Sequence, residues 1–143
     1  MSTQVVGMHH VQLAFAPALT AVVERFYGQL LGLQRLPQNG PLGLSYAVGG
    51  QRIDLVPSAQ TTPGVGAGHL ALHVRGIEAL HARLQAHGEV ALALVSVAEG
   101  LRFYAKDPAG NTLELLQLQV LCGPAEAQPS SRTGSQAAAC AMC

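Results

Sequence analysis

Two histidines and two carboxylates recur along this chain at almost the same interval. Asp54 and Glu114 are 60 positions apart, and His10 and His69 are 59 apart. Each carboxylate stands between two large apolar residues, in the sequences IDL and LEL, where burial without a partner is costly. Neutral imidazole and carboxylate are ligands for Zn, Ni, Fe(II), Mn or Co, and two imidazoles with one carboxylate leave coordination positions open. A metal held in this way can polarise a carbonyl, stabilise an enediolate or activate water.

The shared interval indicates an internal duplication, that is, two copies of one supersecondary module. Hydrophobic periodicity predicts the order β-α-β-β-β in each copy. The first module, residues 5–58, is predicted to contain a strand at 8–16, a helix at 19–31, and strands at 33–36, 42–48 and 51–56. The second module, residues 67–119, is predicted to contain a strand at 68–74, a helix at 77–87, and strands at 92–95, 101–106 and 111–118. A Gly-rich linker at 61–68 joins them.

Strand alternation separates an apolar face from a polar face in both modules. The four candidate ligands fall on the polar face, together with three candidates for the substrate groove, which are His73, Arg102 and Tyr104. We therefore expect an α+β fold in which two tandem β-α-β-β-β modules form a curved mixed sheet around a concave metal-binding groove, with the helices outside. The apolar set for the helices to cover is Val11, Leu13, Phe15, Ile53, Leu55, Leu70, Leu72, Val74, Leu113 and Leu115.

Composition narrows the class of partner. The chain has 143 residues, of which 49% are hydrophobic, and its eight basic and eight acidic residues cancel. Nucleic acid and anionic membranes call for a basic patch, so neither is expected as a partner. A small molecule is the expected partner. The sequence contains neither a span of about 20 apolar residues nor a secretory leader, and cytoplasmic residence is the expectation.

The C-terminal segment differs in composition from the rest of the chain. Residues 122–143 are rich in Ala, Ser, Gln and Pro, which predicts a disordered tail after a domain at 1–121. The three cysteines, Cys122, Cys140 and Cys143, all fall there and form no disulfide framework. Cys140 and Cys143 have CxxC spacing but no second pair and no histidine partner, so we do not expect a metal or redox site.

Four segments carry a resemblance to a known family: HHVQLAF, FYGQLLGL, GHLALHV and FYAKDPAGNTLELLQ. Over about residues 5–119 the chain resembles the vicinal oxygen chelate (VOC) superfamily, which contains glyoxalase I, fosfomycin- and bleomycin-resistance proteins, extradiol dioxygenases and methylmalonyl-CoA epimerase. The resemblance implies the glyoxalase fold and a homodimer. It also implies a divalent metal ion, Zn, Ni, Mn or Fe(II), with His10, His69 and Glu114 at the ligand positions.

Asp54 departs from the family pattern. Glyoxalase I-like members have Glu at this position, and epimerase-like members have Gln. Asp is one methylene shorter, about 1.5 Å of reach, whereas metal–ligand distances are held to within about 0.2 Å. Asp54 is therefore expected to stay out of the coordination sphere, as a hydrogen-bonding partner or a base acting through water, or to pair with Arg52. A role as a fourth ligand stays open as an alternative.

The resemblance implies a glyoxalase I-like lyase or isomerase that acts on a small oxygenated substrate through a metal-chelated enediolate, with Glu114 or Asp54 moving the proton. Two alternatives stay open. One is an extradiol-type ring-cleaving dioxygenase using Fe(II). The other is a metal-independent resistance or sequestration protein, although such relatives generally lack an intact His/His/Glu set. The sequence contains no recognisable glutathione site, and the modules can pair within one chain or between two.

Overall fold

The computed structural model describes residues 3–37, 43–59 and 68–119. The tail predicted at 122–143, all but the last residue of the linker predicted at 61–68, and the first residue of the strand predicted at 42–48 lie outside the described residues. Among those described, no helix is long and apolar enough to cross a membrane.

The first module is a four-stranded sheet with one helical connection. Strand β1 runs parallel to β4, and β4, β3 and β2 continue antiparallel in the order β1-β4-β3-β2. A parallel pair needs a long crossover, and the helical segment between β1 and β2 supplies part of it. The elements are β1 His10–Phe15, a 3-10 turn Pro17–Leu19, α1 Thr20–Glu24, a π-helical turn Arg25–Leu30, β2 Gln34–Arg35, β3 Leu44–Val48 and β4 Gln51–Pro57.

The helix predicted at 19–31 is present, but it changes geometry along its length. It opens as a 3-10 turn with Pro17 at its first position, continues as α1 and widens into a π-helical turn. In that turn the Leu31 N–H donates to the Phe26 carbonyl at 2.9 Å, one residue beyond the α-helical partner. The turn buries Phe26, Tyr27 and Leu30. Gly32, with φ 71°, ends the segment in the left-handed region, one residue after the predicted helix end.

The second module repeats this topology, with sheet order β5-β8-β7-β6 and a parallel β5–β8 pair. The predicted duplication is therefore confirmed. The strand predicted at 92–95 begins only at Val95, and before it Leu92 donates one hydrogen bond to the Tyr104 carbonyl at 2.8 Å. The elements are β5 Leu70–His73, α2 Ile77–Ala86, β6 Val95–Val97, β7 Gly100–Lys106 and β8 Thr112–Leu118.

The predicted α+β class is confirmed, as two four-stranded mixed sheets and two helical segments. The predicted apolar face is also confirmed, because all ten of its residues are buried in the core cluster or pack against it. That cluster draws on both modules. The residues that flank the two carboxylates are 0–1% exposed, namely Ile53, Leu55, Leu113 and Leu115. Alternation therefore places Asp54 on the face of β4 that points away from the core, and Glu114 on the corresponding face of β8.

A buried carboxylate joins the two modules. Asp107 is 3% exposed, and its Oδ2 accepts a hydrogen bond from the Tyr27 hydroxyl, 80 positions earlier, at 2.8 Å. Its Oδ1 accepts hydrogen bonds from the backbone N–H groups of Ala109 and Asn111 at 2.9 and 2.8 Å, which closes the turn between β7 and β8. Asn111 Nδ2 then donates to the Ala14 carbonyl at the end of β1, at 3.1 Å. The β7–β8 turn therefore connects the second module to the first.

Candidate functional site

One imidazole and one carboxylate meet on the polar face of the second module. His69 immediately precedes β5, which runs parallel to β8, and Glu114 is opposite Ala71 in that pair. His69 Nε2 lies 2.7 Å from Glu114 Oε2. The imidazole is 37% exposed and the carboxylate 13%. We call this pair the His69 half-site.

The first module presents the equivalent pair. His10 opens β1, and Asp54 lies on the neighbouring β4, opposite Gln12. His10 Nε2 is 3.9 Å from Asp54 Oδ2, too far for a hydrogen bond. The other ring nitrogen of His10, Nδ1, lies 2.8 Å from Nδ1 of His9, which leaves Nε2 facing the carboxylate. We call His10 and Asp54 the His10 half-site.

Asp54 is held by its own module. Ser45 Oγ donates to Oδ1 at 2.7 Å, and Arg52 Nε lies 3.0 Å from both carboxylate oxygens. Burial acts to raise the pKa of Asp54, but the hydrogen bonds from Ser45 and Arg52 and the charge of Arg52 outweigh it, so the pKa lies below its usual value. Of the roles considered for Asp54, the pairing with Arg52 is present in the structure.

Ser45 was not among the predicted site residues, although the sequence contains the signal that identifies it. The two-residue turn at Gly49-Gly50 pairs Val48 with Gln51, and this register places Ser45 directly opposite Asp54. Counting back from a two-residue turn in this way assigns cross-strand neighbours. Ser45 is therefore a positioning residue for Asp54 that hairpin geometry alone makes recognisable.

Arg102 and Tyr104 lie beside Glu114, as their shared face predicts. Tyr104 is directly opposite Glu114 in the β7–β8 register, and the edge of its ring meets His69 at a centroid distance of 5.6 Å. Arg102 Cζ lies 5.3 Å from the Tyr104 ring centroid, and Arg102 Nη1 is 3.5 Å from Glu114 Oε1, at the limit of a hydrogen bond. Glu114 is thus less tightly held by arginine than Asp54 is.

His73 lies at the far end of β5, opposite Leu116, and is exposed. It is two alternation steps from His69, so the two share the polar face of the sheet. Its assignment to a substrate groove stays a prediction.

The two imidazoles and two carboxylates are suitable ligands for a divalent metal, but within one chain they form two separate pairs. Across the described ranges, no three His, Cys, Asp or Glu side chains lie close enough together to hold a metal ion. Each half-site supplies one imidazole and one carboxylate, donor types that first-row divalent ions accept. Both imidazoles are more than one-third exposed, with Nε2 toward the carboxylate. His69 and Glu114 are donor types that can serve as two ligands of one ion, and His10 and Asp54 belong to the other half-site.

Comparisons with solved structures agree with the fold. A glyoxalase family protein from Bacillus anthracis is 25% identical, with a TM-score of 0.72 over 83% of this chain and 100% of that one. Lactoylglutathione lyase from Agrobacterium tumefaciens is 20% identical, with a TM-score of 0.61 over 79% of this chain and 94% of that one. The fosfomycin resistance protein FosX from Listeria monocytogenes is 14% identical, with a TM-score of 0.69 over 82% and 97%. The last two likenesses are of fold alone.

No curated protein sequence matches the chain significantly. The family model of the Glyoxalase/Bleomycin resistance protein/Dioxygenase superfamily matches residues 7–115, which include both modules and both half-sites. This match covers most of the chain. The duplicated β-α-β-β-β topology and the similar solved structures agree with it. The chain therefore belongs to the Glyoxalase/Bleomycin resistance protein/Dioxygenase superfamily, the group also called vicinal oxygen chelate proteins.

Proposed function

We propose that this chain is a metal-dependent lyase or isomerase that acts on a small oxygenated substrate, with the ion held by His10, His69 and Glu114. The observation that carries the proposal is the 2.7 Å approach of His69 Nε2 to Glu114 Oε2 on an accessible sheet face. A carboxylate fixed between two buried leucines and matched to an imidazole is a pre-positioned pair of ligands. Lactoylglutathione lyase is among the proteins of similar fold.

A divalent ion, when bound, supplies Lewis acidity toward a substrate carbonyl or hydroxyl. The protein's own contribution is to bind and orient the substrate and to move a proton. The two oxygens of Glu114 have different surroundings, because Oε2 faces His69 and Oε1 has Arg102 at 3.5 Å. We assign Oε2 to the ion and Oε1 to the substrate proton.

Asp54 supports the reaction from the other half-site. Both of its oxygens already accept hydrogen bonds from Ser45 or Arg52, so it does not serve as a fourth ligand in this proposal. It remains ionised and lies 3.9 Å from His10 Nε2. Asp54 is thus a second carboxylate beside the proposed ligand His10, and we assign it to proton movement through water on the substrate side of the site.

Assembly of the site by a homodimer is part of the proposal. Within the described part of one chain no three candidate ligands converge, whereas each module presents one half-site. A two-fold dimer that joins the His10 half-site of one copy to the His69 half-site of the other forms two identical sites. The substrate then binds between two subunits.

Metal content tests the site, and subunit mixing tests its assembly. Inductively coupled plasma mass spectrometry of untagged protein is expected to find about one equivalent of metal per chain, and His10→Ala and His69→Ala are each expected to lose it. If the two variants are refolded together, half of the dimers are mixed, and each mixed dimer has one intact site. Metal binding should then return to about one quarter of the wild-type level.

The outcomes separate the alternatives. No recovery on mixing, with full metal in the wild type, places the ligands within one chain. Iron with oxygen uptake on a catechol panel points to the ring-cleaving dioxygenase. A protein that takes up no metal even after reconstitution contradicts the enzyme proposal and favours the sequestration alternative.

A further inference from the structure

The guanidinium of Arg102 is incompletely paired. Its Nε is the one buried side-chain nitrogen or oxygen without a hydrogen-bond partner in the part of the chain that the structure describes. Its Nη1 reaches Glu114 Oε1 only at 3.5 Å. Arg52 in the first module differs, because its Nε lies 3.0 Å from both oxygens of Asp54. A covered donor without an acceptor costs free energy, and a ligand that brings an acceptor recovers it.

The surroundings of Arg102 keep the group available to such a ligand. The side chain is 33% exposed although its Nε is buried, so part of the side chain is open to a ligand. The Tyr104 ring, 5.3 Å from Cζ, supports the cation from one side. Tyr104 also meets the ring of His69, so the arginine, the tyrosine and the His69 half-site form one cluster.

The charges on this face favour an anion. Along β7 the polar face carries Arg102, Tyr104 and Lys106, and along β8 it carries Thr112 and Glu114. Lys106 Nζ donates to the Thr112 hydroxyl at 2.7 Å and forms no ion pair with any described residue. This face of β7 and β8 therefore carries two cationic side chains, Arg102 and Lys106, and one carboxylate, Glu114. A bound metal ion would add further positive charge. An arginine fork binds carboxylate and phosphate through two parallel hydrogen bonds.

We propose that the substrate carries a phosphate or carboxylate group, and that Arg102 binds this oxyanion beside Glu114 and thereby selects the substrate. The inference rests on the proposed function for the location of the reacting centre, but the recognition of the anion depends on Arg102 and not on the metal ion. Arg102 is thus a specificity-determining residue, and the substrate class narrows to anionic hydroxy- or oxo-compounds.

Three related compounds test the proposal. Dihydroxyacetone, dihydroxyacetone phosphate and hydroxypyruvate share a hydroxyketone, and they carry no charge, a phosphate and a carboxylate, respectively. Isothermal titration calorimetry on the metal-loaded full-length protein is expected to show at least one of the two anions binding about tenfold or more tightly than the neutral compound. Which anion binds more tightly distinguishes phosphate from carboxylate.

Variants separate recognition from structure. Arg102→Gln is expected to weaken the preferred anion by about tenfold or more and to leave dihydroxyacetone within about twofold, and Arg102→Lys should restore part of the loss. The matched control is Arg25→Gln. Arg25 lies outside this cluster and pairs with Glu89, the two side chains being 3.1 Å apart, so its replacement should leave all three affinities unchanged. Equal weakening of all three compounds by Arg102→Gln would show a structural role and overturn the proposal.

Two further outcomes would overturn the proposal: equal affinity of the wild type for all three compounds, and no binding of either anion in the millimolar range. Repeating the titrations after removal of metal with a chelator separates this inference from the proposed function. An anion preference that depends on Arg102 and persists without metal supports the inference even if the protein proves to need no metal. Metal binding without any anion preference supports the proposed function alone.

Discussion

Glu114 Oε2 lies 2.7 Å from His69 Nε2, beside the parallel strands β5 and β8. The equivalent pair in the first module is wider, at 3.9 Å. Asp is one methylene shorter than Glu, and Asp54 is held by Ser45 and Arg52, whereas Glu114 has one arginine contact, at 3.5 Å. The two modules therefore share one topology, but the carboxylate of Asp54 is hydrogen-bonded mainly within its own hairpin, whereas that of Glu114 contacts an imidazole.

The first prediction concerns the unequal use of the two carboxylates in metal binding. Glu114→Gln is expected to weaken metal affinity by more than about 100-fold, because it removes a ligand. Asp54→Asn should weaken it less, by at most about 10- to 100-fold, the range seen when a residue that supports a ligand is changed. Competition titration with a chromophoric chelator measures both affinities. Equal losses in the two variants would mean that Asp54 is also a ligand.

The second prediction concerns acid stability. Because the pKa of Asp54 in the folded protein lies below its value of 3.8 in model compounds, the ionised group adds stability above that pH. This contribution is lost as the pH falls through the folded-state pKa. The drop in unfolding free energy from about pH 6 to about pH 3 should therefore be smaller in Asp54→Asn than in the wild type.

Urea denaturation at the two pH values measures this difference. Ser45→Ala, which removes one hydrogen bond to Asp54, should give a drop between those of the wild type and Asp54→Asn. An identical pH dependence in the wild type and Asp54→Asn would show that the carboxylate is not stabilised by its partners.

The third prediction concerns the connection between the modules. Burial, together with the charge and hydrogen bond of Asp107, raises the pKa of Tyr27 far above its usual value, so the hydroxyl remains a donor. Tyr27→Phe should lower the free energy of unfolding by about 2 kcal/mol, as expected for a hydrogen bond to a buried charged group.

Tyr46→Phe is the matched control for Tyr27→Phe. Tyr46 is equally buried, but its hydroxyl makes only longer contacts, 3.3 Å to the Glu24 carbonyl and 3.5 Å to Arg35. Its loss should cost less than about 1 kcal/mol. Chemical denaturation followed by circular dichroism measures both variants, and a Tyr27→Phe effect no larger than that of Tyr46→Phe would contradict the role given to the Asp107 contact.

The fourth prediction concerns the start of β7. Gly100 has φ 150°, and a Cβ atom there would collide with the backbone carbonyl of Gln117 on β8. Gly100→Ala should therefore cost about 3 kcal/mol of unfolding free energy, from overpacking and backbone strain together. Gly50→Ala, where the space around a Cβ is open, should change stability by less than about 0.5 kcal/mol. Comparable urea midpoints for the two variants would contradict this account.

Much of the fold was predictable because alternation and turn chemistry are local. A period of two places Leu113 and Leu115 on the buried side of β8 and Glu114 on the other, and both leucines are fully buried. Asp and Gly are residue types typical of turns, and the Asp107 carboxylate and the φ of 88° at Gly110 form the β7–β8 turn. The repeated spacing of His10 and His69 similarly predicted two equivalent modules.

The sequence by itself therefore determined the modules, the faces of their strands and the side on which every candidate ligand lies, because these depend on backbone periodicity over a few residues. Only the tertiary structure decided which partners those side chains take. Tyr27 reaches Asp107, Asn111 reaches the Ala14 carbonyl, and Arg102 is left with an unpaired Nε. Such contacts depend on the packing of one module against the other and on competition among neighbouring groups, neither of which a local sequence pattern specifies.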